Sequence, residues 1–142
     1  MGKKTRNRKV DAAVYNFSAL DKAGGPRQFF EQVAALPTEE ERIQFFDNRE
    51  EPPLHYYGKK GARDILIEFG LAGECLALDV RILGLLKEMG VKVKKGSLDR
   101  NYEKIEEELI DKVAQPLGIS GGQLDRILFQ NAADIMVRLR CP

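Results

Sequence analysis

The sequence predicts an all-α fold, built as one compact domain of several helices over residues 1–142. Apolar residues recur at three- and four-residue spacing along most of the chain, and no segment sustains the alternation expected of a β-strand. Two capping boxes and several glycines and prolines mark where these helical segments begin and end. A chain of 142 residues is long enough for one domain with a sizeable core.

The N-terminal part of the sequence predicts a basic arm followed by three helices. Residues 1–9 are predicted to be flexible, and a first short helix follows from Val10 to a Gly-Gly break. Pro26 suits the first position of a second helix, because its missing N–H is not needed there. Thr38 and Glu41 have the spacing of a capping box and predict the start of a third helix.

Two helices joined by a short return are predicted for the centre of the chain. The fourth helix is indicated by an apolar stripe that ends at Gly70; its members are Ala62, Ile65, Leu66 and Phe69. Asp79 is a suitable N-cap for the fifth helix, which Gly90 ends. The inward face of this fifth helix is predicted to comprise Ile82, Leu83, Leu86 and Met89.

The remaining chain predicts two more helices. A basic loop precedes them; it contains Lys92, Lys94 and Lys95. Ser97 can cap the sixth helix, whose acidic residues Glu103, Glu106, Glu107 and Glu108 are predicted to form a solvated face. Ser120 and Gln123 form a second capping box. It begins a last helix whose apolar positions are Leu124, Ile127, Leu128, Ile135 and Leu139.

Composition narrows the class of protein. The net charge of +1 identifies no partner. Cys75, Cys141 and a single histidine, His55, cannot form a four-cysteine metal site, so no metal or other cofactor is predicted. The two isolated cysteines suggest a reduced, cytoplasmic protein rather than a disulfide framework. No apolar run is long enough to span a bilayer, and the basic N-terminus lacks the apolar stretch of a signal peptide.

A glycine-flanked basic turn precedes the fourth helix and is suited to binding phosphate. Gly58 and Gly61 flank Lys59 and Lys60, and Arg63 lies two positions after Gly61. Glycine allows close approach of another backbone, and the free amides of a helix N-terminus can hold an anion. A row of phosphodiesters therefore fits this turn. The alternative is an ordinary solvated turn.

Residues 54–62 (LHYYGKKGA) resemble the hairpin of the helix-hairpin-helix (HhH-GPD) DNA glycosylases. That hairpin usually reads Leu, any residue, Gly, aliphatic, Gly, any residue, Lys, any residue, Ala. Here Leu54, Gly58, Lys60 and Ala62 match, whereas Tyr56 replaces the first glycine.

The resemblance continues beyond the hairpin. The family places an Asp one helix and one loop later, before a basic residue and an aliphatic one, and residues 79–82 (DVRI) match. The last segment, near residues 117–129, resembles the archaeal-type 8-oxoguanine glycosylase/lyase branch. The region before the hairpin is shorter than that of family enzymes.

The resemblance implies an activity. It implies base-excision repair by an N-glycosylase/AP lyase that acts on an 8-oxoguanine-like purine or an abasic site in double-stranded DNA, in the cytoplasm and associated with the nucleoid. Lys60 is then the nucleophile that attacks C1′, and Asp79 supports the positive charge that develops on the sugar. Residues 54–89 would form the helix-hairpin-helix and catalytic-Asp region. The DNA-binding residues would be Tyr57, Gly58, Lys59, Gly61 and Arg63.

Other interpretations of the same residues remain open. Asp79 can act as an N-cap alone, although capping and catalysis are compatible. Asp64 has no role in the family pattern and is predicted to be a surface residue. Instead of an enzyme, the chain could be a DNA-binding module without catalysis or a helical adaptor that binds another protein. The sequence leaves the oligomeric state open.

Overall fold

Helices make up the regular secondary structure throughout the described part of the chain, so the all-α prediction is confirmed. The computed structural model describes the backbone of residues 3–91 and 98–141 and the side chains of residues 8–91 and 100–141. The elements are α1 (Lys3–Lys22), α2 (Pro26–Ala34), α3 (Glu39–Phe46), α4 (Lys59–Glu68), α5 (Val80–Glu88), α6 (Leu98–Leu109), a π-helical turn (Ile110–Ala114), α7 (Gln115–Leu117) and α8 (Gly121–Arg140). Among these helices, none is long and apolar enough to cross a membrane.

The predicted helix starts are confirmed where their capping side chains can be checked. Both capping boxes form, with Thr38 bonding the amide of Glu41 and Ser120 bonding the amide of Gln123. Pro26 occupies the first turn of α2. These interactions span only three residues, which is why the local sequence predicts them well.

The N-terminal prediction differs from the structure. A loose basic arm was expected over residues 1–9, but α1 begins at Lys3 and continues through the basic stretch. Farther along, the basic loop with Lys92, Lys94 and Lys95 and the cap at Ser97 lie outside the described residues.

Several predicted apolar positions lie at the surface instead of in the core. The exposed ones are Phe69, Met89, Ile127 and Leu139. Phe69 and Met89 lie just after the last residues of α4 and α5, where the helical face turns away from the core. Phe69 stacks on the ring of Phe30, with 4.1 Å between ring centroids.

The buried apolar residues form two clusters. The front cluster joins α2, α3 and α4; its buried members are Phe29, Val33, Phe46, Leu54, Ala62 and Leu66. The rear cluster joins α5, α6 and α8 with the segment before α5; its buried members are Leu76, Leu78, Ile82, Leu86, Tyr102, Ala114 and Leu124. The N-terminus of α4 therefore belongs to the front cluster, whereas Asp79 and α8 belong to the rear one.

A buried ion pair joins the two clusters. The Arg63 guanidinium on α4 donates from Nε and Nη2 to the two carboxylate oxygens of Glu106 on α6, each at 2.7 Å. It also lies over the ring of Tyr102, 4.5 Å from the centroid. Burial by itself lowers the pKa of Arg63, but the hydrogen bond and negative charge of Glu106 outweigh it and raise that pKa. The prediction of a solvated acidic face is thus wrong for Glu106, because it neutralises a buried cation.

Side chains from distant helices hold the non-helical segment that leads to Asp79. The amide of Leu76 donates to Glu106, and the amide of Ala77 donates to Asp125. The Tyr102 hydroxyl accepts from the amide of Leu78 and donates to the carbonyl of Leu76. A segment without backbone partners of its own satisfies its amides in this way. The position of Asp79 is consequently fixed by α6 and α8.

The N-terminus of α8 packs against the same segment. A Cβ added to Gly121 would lie 2.7 Å from the carbonyl carbon of Glu74, so only glycine fits there. The amide of Gly122 donates to the carbonyl of Gly73. This close approach brings the second turn of α8, which carries Asp125, against the residues before Asp79.

Candidate functional site

The basic turn predicted to precede the fourth helix is instead the first turn of α4, which begins at Lys59, so Lys60 lies on the helix and is partly exposed. Its ammonium contacts Asp64 Oδ2 at 2.5 Å, one helical turn later. Asp64 was predicted to be a surface residue without a role, and its side chain is indeed exposed. The structure adds that Asp64 is a partner within hydrogen-bonding reach of the candidate nucleophile, which is the distance that proton transfer requires.

Asp79 is the N-cap of α5, as predicted. Its Oδ1 accepts from the amides of Arg81 at 2.9 Å and Ile82 at 3.0 Å. These bonds hold the carboxylate at the positive end of the helix dipole. The side chain is thereby oriented, whatever further role it has.

Asp125 is a third carboxylate to consider after Asp64 and Asp79, and the sequence did not predict a role for it. Its side chain is buried and Oδ1 accepts from the amide of Ala77 at 2.8 Å. Burial raises the pKa of Asp125 from 3.8 to about 6; the charges of Asp64 and Asp79 add to this, while the Ala77 amide and the Lys60 ammonium oppose it. A sequence signal did exist, because Asp125 is an acidic residue between Leu124 and Leu128 on the apolar face of α8.

These four residues form one electrostatic cluster between the two cores. Lys60 and Asp64 lie on α4, which packs in the front cluster, whereas Asp79 caps α5 and Asp125 lies on α8, two helices that pack in the rear one. Both Lys60 and Asp79 act on the buried Asp125 carboxyl. Their own strong contacts lie elsewhere, since Lys60 bonds Asp64 and Asp79 bonds the α5 amides. The charges of both members of the predicted pair thus influence the pKa of Asp125, whose own hydrogen bond is to the amide of Ala77.

Two cavities meet beside this cluster. The first, here called the α4–α8 cavity, has a volume of about 590 Å³; its lining includes Tyr57, Asp64, Phe69, Asp125, Arg126 and Phe129. The second, here called the basic cleft, has a volume of about 740 Å³; its lining includes Lys9, Tyr56, Tyr57, Gly58, Lys59, Lys60 and Asp64. Tyr57 and Asp64 line both cavities, and Lys60 lines the basic cleft, where its ammonium contacts Asp64.

Three residues that the resemblance assigned to DNA binding line the basic cleft: Tyr57, Gly58 and Gly61. Gly58 is the N-cap of α4 and has no side chain to bond the first amides of that helix. A Cβ at Gly58 would meet no atom within 4 Å, whereas one at Gly61 would lie 3.1 Å from the carbonyl oxygen of Tyr56. The ring of Tyr57 packs toward Phe46 and reaches both cavities.

The two other predicted DNA-binding residues have protein partners. Lys59 forms an ion pair with Glu103 on α6, although it still lines the basic cleft. Arg63 is only 4% exposed; its Nε and Nη2 donate to Glu106, and its Nη1 donates to the carbonyl of Lys59. Its side chain is therefore directed into the junction between the clusters and is not part of the lining of the basic cleft. Sequence spacing could not show this direction.

Among the described residues, no group of three or more His, Cys, Asp or Glu side chains is arranged to hold a metal ion. Comparison of the chain with protein-family models, with curated proteins and with solved structures found no match.

The raised pKa of Asp125 predicts an unusual pH dependence of stability. The folded protein binds a proton more tightly at this carboxyl than the unfolded chain does, so between pH 4 and 6 folding takes up protons. The contribution of Asp125 to stability is thus greatest below about pH 4 and is lost as the pH rises through about 6. An Asn at this position keeps the acceptor oxygen for the Ala77 amide without the cost of burying a charge.

We expect Asp125→Asn to stabilise the fold at pH 7 by roughly 1–3 kcal/mol and to remove this pH dependence. Urea unfolding at pH 4, 5, 6 and 7 checks it. Asp134→Asn, an exposed substitution farther along α8, is the control and should leave the pH profile unchanged. Destabilisation by Asp125→Asn that grows as the pH rises from 4 to 7 would show that the carboxylate, not the acid, is the form the fold prefers.

Proposed function

We propose that this protein is a small DNA base-excision repair glycosylase with AP lyase activity, in which Lys60 forms a Schiff base with the deoxyribose. The observation that carries the proposal is that Lys60 lines the basic cleft and contacts Asp64, a residue that lines both this cleft and the α4–α8 cavity. The resemblance of residues 54–62 and 79–82 to the glycosylase hairpin and catalytic Asp supports the same chemistry.

The two cavities suit the two parts of an extruded nucleotide. Free amides at the start of α4, together with Lys9 and Lys59, favour the phosphates in the basic cleft. The α4–α8 cavity offers the ring of Phe129 and the charged ends of Asp64 and Arg126. Its volume of about 590 Å³ admits a purine, and an aromatic side wall favours stacking of a flipped base. C1′ would then face Lys60.

The reaction at an abasic site uses the Lys60 amine as nucleophile. Nζ adds to the C1′ aldehyde of the open sugar, and loss of water gives a protonated imine. Removal of a proton from C2′ then expels the 3′ phosphate by β-elimination and breaks the strand. Hydrolysis of the imine returns the free lysine. At an intact damaged nucleotide the same amine displaces the base from C1′.

The carboxylates have separate roles in this proposal. Asp64 accepts the proton that Lys60 must lose, because its carboxylate is already in contact with the ammonium. Asp79, held by the α5 amides, stabilises the positive charge on the sugar ring. Asp125 holds the segment before Asp79 and can keep a proton near pH 6. In this proposal Lys60 acts from the basic cleft, whereas Asp79 lies at the start of α5 and lines neither cavity.

The decisive experiment is borohydride trapping. The purified protein is incubated with a duplex that contains one abasic site, and separately with a duplex that contains 8-oxoguanine, both in the presence of sodium borohydride. We expect a covalent protein–DNA adduct on the abasic duplex, and one on the 8-oxoguanine duplex if this purine is the substrate. Failure of the wild-type protein to form an adduct on either duplex refutes the lyase.

A DNA-binding module without catalysis is the second candidate, and the Lys60–Asp64 contact favours it. This contact engages Nζ of Lys60 with a carboxylate one turn later on the same helix. Salt-dependent binding of duplex DNA without any trapped adduct is the result expected for such a module.

Lys9 provides a test of the DNA interface that does not depend on catalysis. It is exposed on α1 and lines the basic cleft. If it neutralises a phosphate, Lys9→Gln should reduce the slope of log K against log salt by about 1 and weaken binding equally for all sequences.

Fluorescence anisotropy with a labelled duplex at several salt concentrations measures this slope. Arg27→Gln is the matched control, because Arg27 is exposed on α2, pairs with Glu31 and is not part of the cleft lining. An unchanged slope for Lys9→Gln, or an equal change for Arg27→Gln, would place the phosphate-binding surface elsewhere.

A further inference from the structure

Tyr56 has a backbone conformation that normally belongs to glycine. Its φ of 68° is the only positive value at a non-glycine residue in the described part of the chain. In this left-handed region the Cβ of an L-residue crowds the following carbonyl oxygen, which makes the conformation unfavourable for tyrosine. The family pattern has glycine at this position, so the local sequence opposes the conformation that the fold imposes.

The surrounding structure holds Tyr56 in this conformation. The Asn16 side chain on α1 accepts from the amide of His55 at 2.6 Å and donates to the carbonyl of His55 at 3.1 Å. The ring of Tyr15 stacks on that of His55, with 3.7 Å between centroids. On the other side, Gly61 packs closely against the carbonyl of Tyr56. The backbone on both sides of Tyr56 is thereby fixed.

The Tyr56 side chain packs little against the core, so packing does not offset the cost of its backbone conformation. It is 64% exposed and lies at the rim of the basic cleft, beside Lys9 and Lys60. A smaller hollow on the α1 side is lined by Tyr56 together with Arg8 and Asp11. Strain of this kind, without a folding benefit, is expected where a side chain must be presented to a ligand. An exposed aromatic ring among cations at a nucleic-acid cleft is a stacking platform for a base.

We infer that Tyr56 stacks on an unpaired base of the bound DNA and so gives the protein a preference for duplexes with a missing or displaced base. The inference rests on the proposed function, because it requires DNA in the basic cleft. Stacking on an aromatic side chain tolerates any base, so the preference is for unpaired structure and not for sequence. An intact duplex offers Tyr56 no free base face.

The test compares Tyr56→Gly, Tyr56→Phe and wild type on two fluorescein-labelled duplexes. One contains a tetrahydrofuran abasic analogue, which the lyase cannot cleave and which leaves the opposite base unpaired; the other is fully paired. We expect Tyr56→Gly to bind the tetrahydrofuran duplex about 10-fold more weakly and the paired duplex within about 2-fold of wild type. Tyr56→Phe should bind as wild type does, because the ring remains.

The same glycine variant should be more stable than wild type. Relief of the left-handed tyrosine predicts a rise in unfolding temperature of about 3 °C. Phe17→Ala, which removes another highly exposed aromatic ring, should change neither affinity. Loss of stability in Tyr56→Gly would mean that the side chain serves the fold, and this result overturns the inference.

The outcomes separate the two proposals. If wild type binds the tetrahydrofuran duplex and Tyr56→Gly binds it equally well, the stacking role is wrong and the proposed function is untouched. A loss of affinity in Tyr56→Phe equal to that in Tyr56→Gly implicates the hydroxyl and also contradicts stacking. If wild type binds neither duplex at low salt, the proposed function fails, and the inference fails with it.

Discussion

Lys60→Gln is expected to abolish the borohydride-trapped adduct on abasic DNA, a loss of ~1,000-fold or more. The amide of glutamine cannot form an imine with C1′, so no residual Schiff-base chemistry is expected at this position. Because Lys60 is partly exposed and its ion pair with Asp64 is a surface one, the substitution should change the free energy of unfolding by less than about 1 kcal/mol. Loss of the adduct would therefore not reflect unfolding.

Lys59→Gln is the matched control for this prediction. Lys59 is the preceding residue, lines the same cleft and carries the same charge, but its ammonium is paired with Glu103. Its replacement should weaken DNA binding modestly and leave the yield of adduct at saturating protein unchanged. Adduct formation by Lys60→Gln at the wild-type level, or its loss only in Lys59→Gln, would remove Lys60 from the mechanism.

Glu106→Ala should cause the largest loss of stability, about 3–5 kcal/mol. The substitution leaves the Arg63 guanidinium buried without its counter-charge and the amide of Leu76 without its acceptor. Both groups lie at the junction of the two core clusters, so relaxation there also disturbs the approach of α4 to the segment before Asp79. Urea or thermal unfolding measures the loss, and an expected fall in adduct yield accompanies it.

Glu103→Ala serves as the control on the same helix. Glu103 lies one turn before Glu106, and its carboxylate pairs with Lys59 at the surface. Partial burial tends to raise the pKa of Glu103, but the hydrogen bond from Lys59 lowers it overall. A surface pair of this kind contributes about 0–1 kcal/mol. Equal destabilisation by the two alanine substitutions would mean that the helix, and not the buried pair, sets the stability.

Local signals predicted the parts of the fold that depend on local interactions. The capping boxes of α3 and α8 join residues three positions apart, and the Asp79 cap bonds amides two and three positions later. Their energies depend little on the rest of the chain. The Lys60–Asp64 contact is also local, because it joins successive turns of one helix. Asp64 was nevertheless expected to have no role, and only the folded structure shows that it lines a cavity.

Tertiary structure decided which charged residues face the candidate site. Arg63 and Glu106 are 43 residues apart, and Ala77 and Asp125 are 48 apart. Helical periodicity cannot indicate such pairings, because it shows which face of a helix is apolar but not which distant helix will cover it. Arg63 was therefore assigned to DNA, Glu106 to solvent and Asp125 to no role.

The sequence by itself determined the helical class, the capped starts of α3, α5 and α8, and the placement of Lys60 and Asp79 at two helix N-termini. Only the packing of α8 against the segment before α5 decided that Asp125 is buried at the amide of Ala77, where the charges of both residues influence its pKa. Tertiary structure also decided that Tyr56 is held in a left-handed conformation, since Asn16 fixes the neighbouring peptide from a distant helix. Caps are short-range and additive, whereas burial and strain depend on contacts that form only when the whole chain is folded.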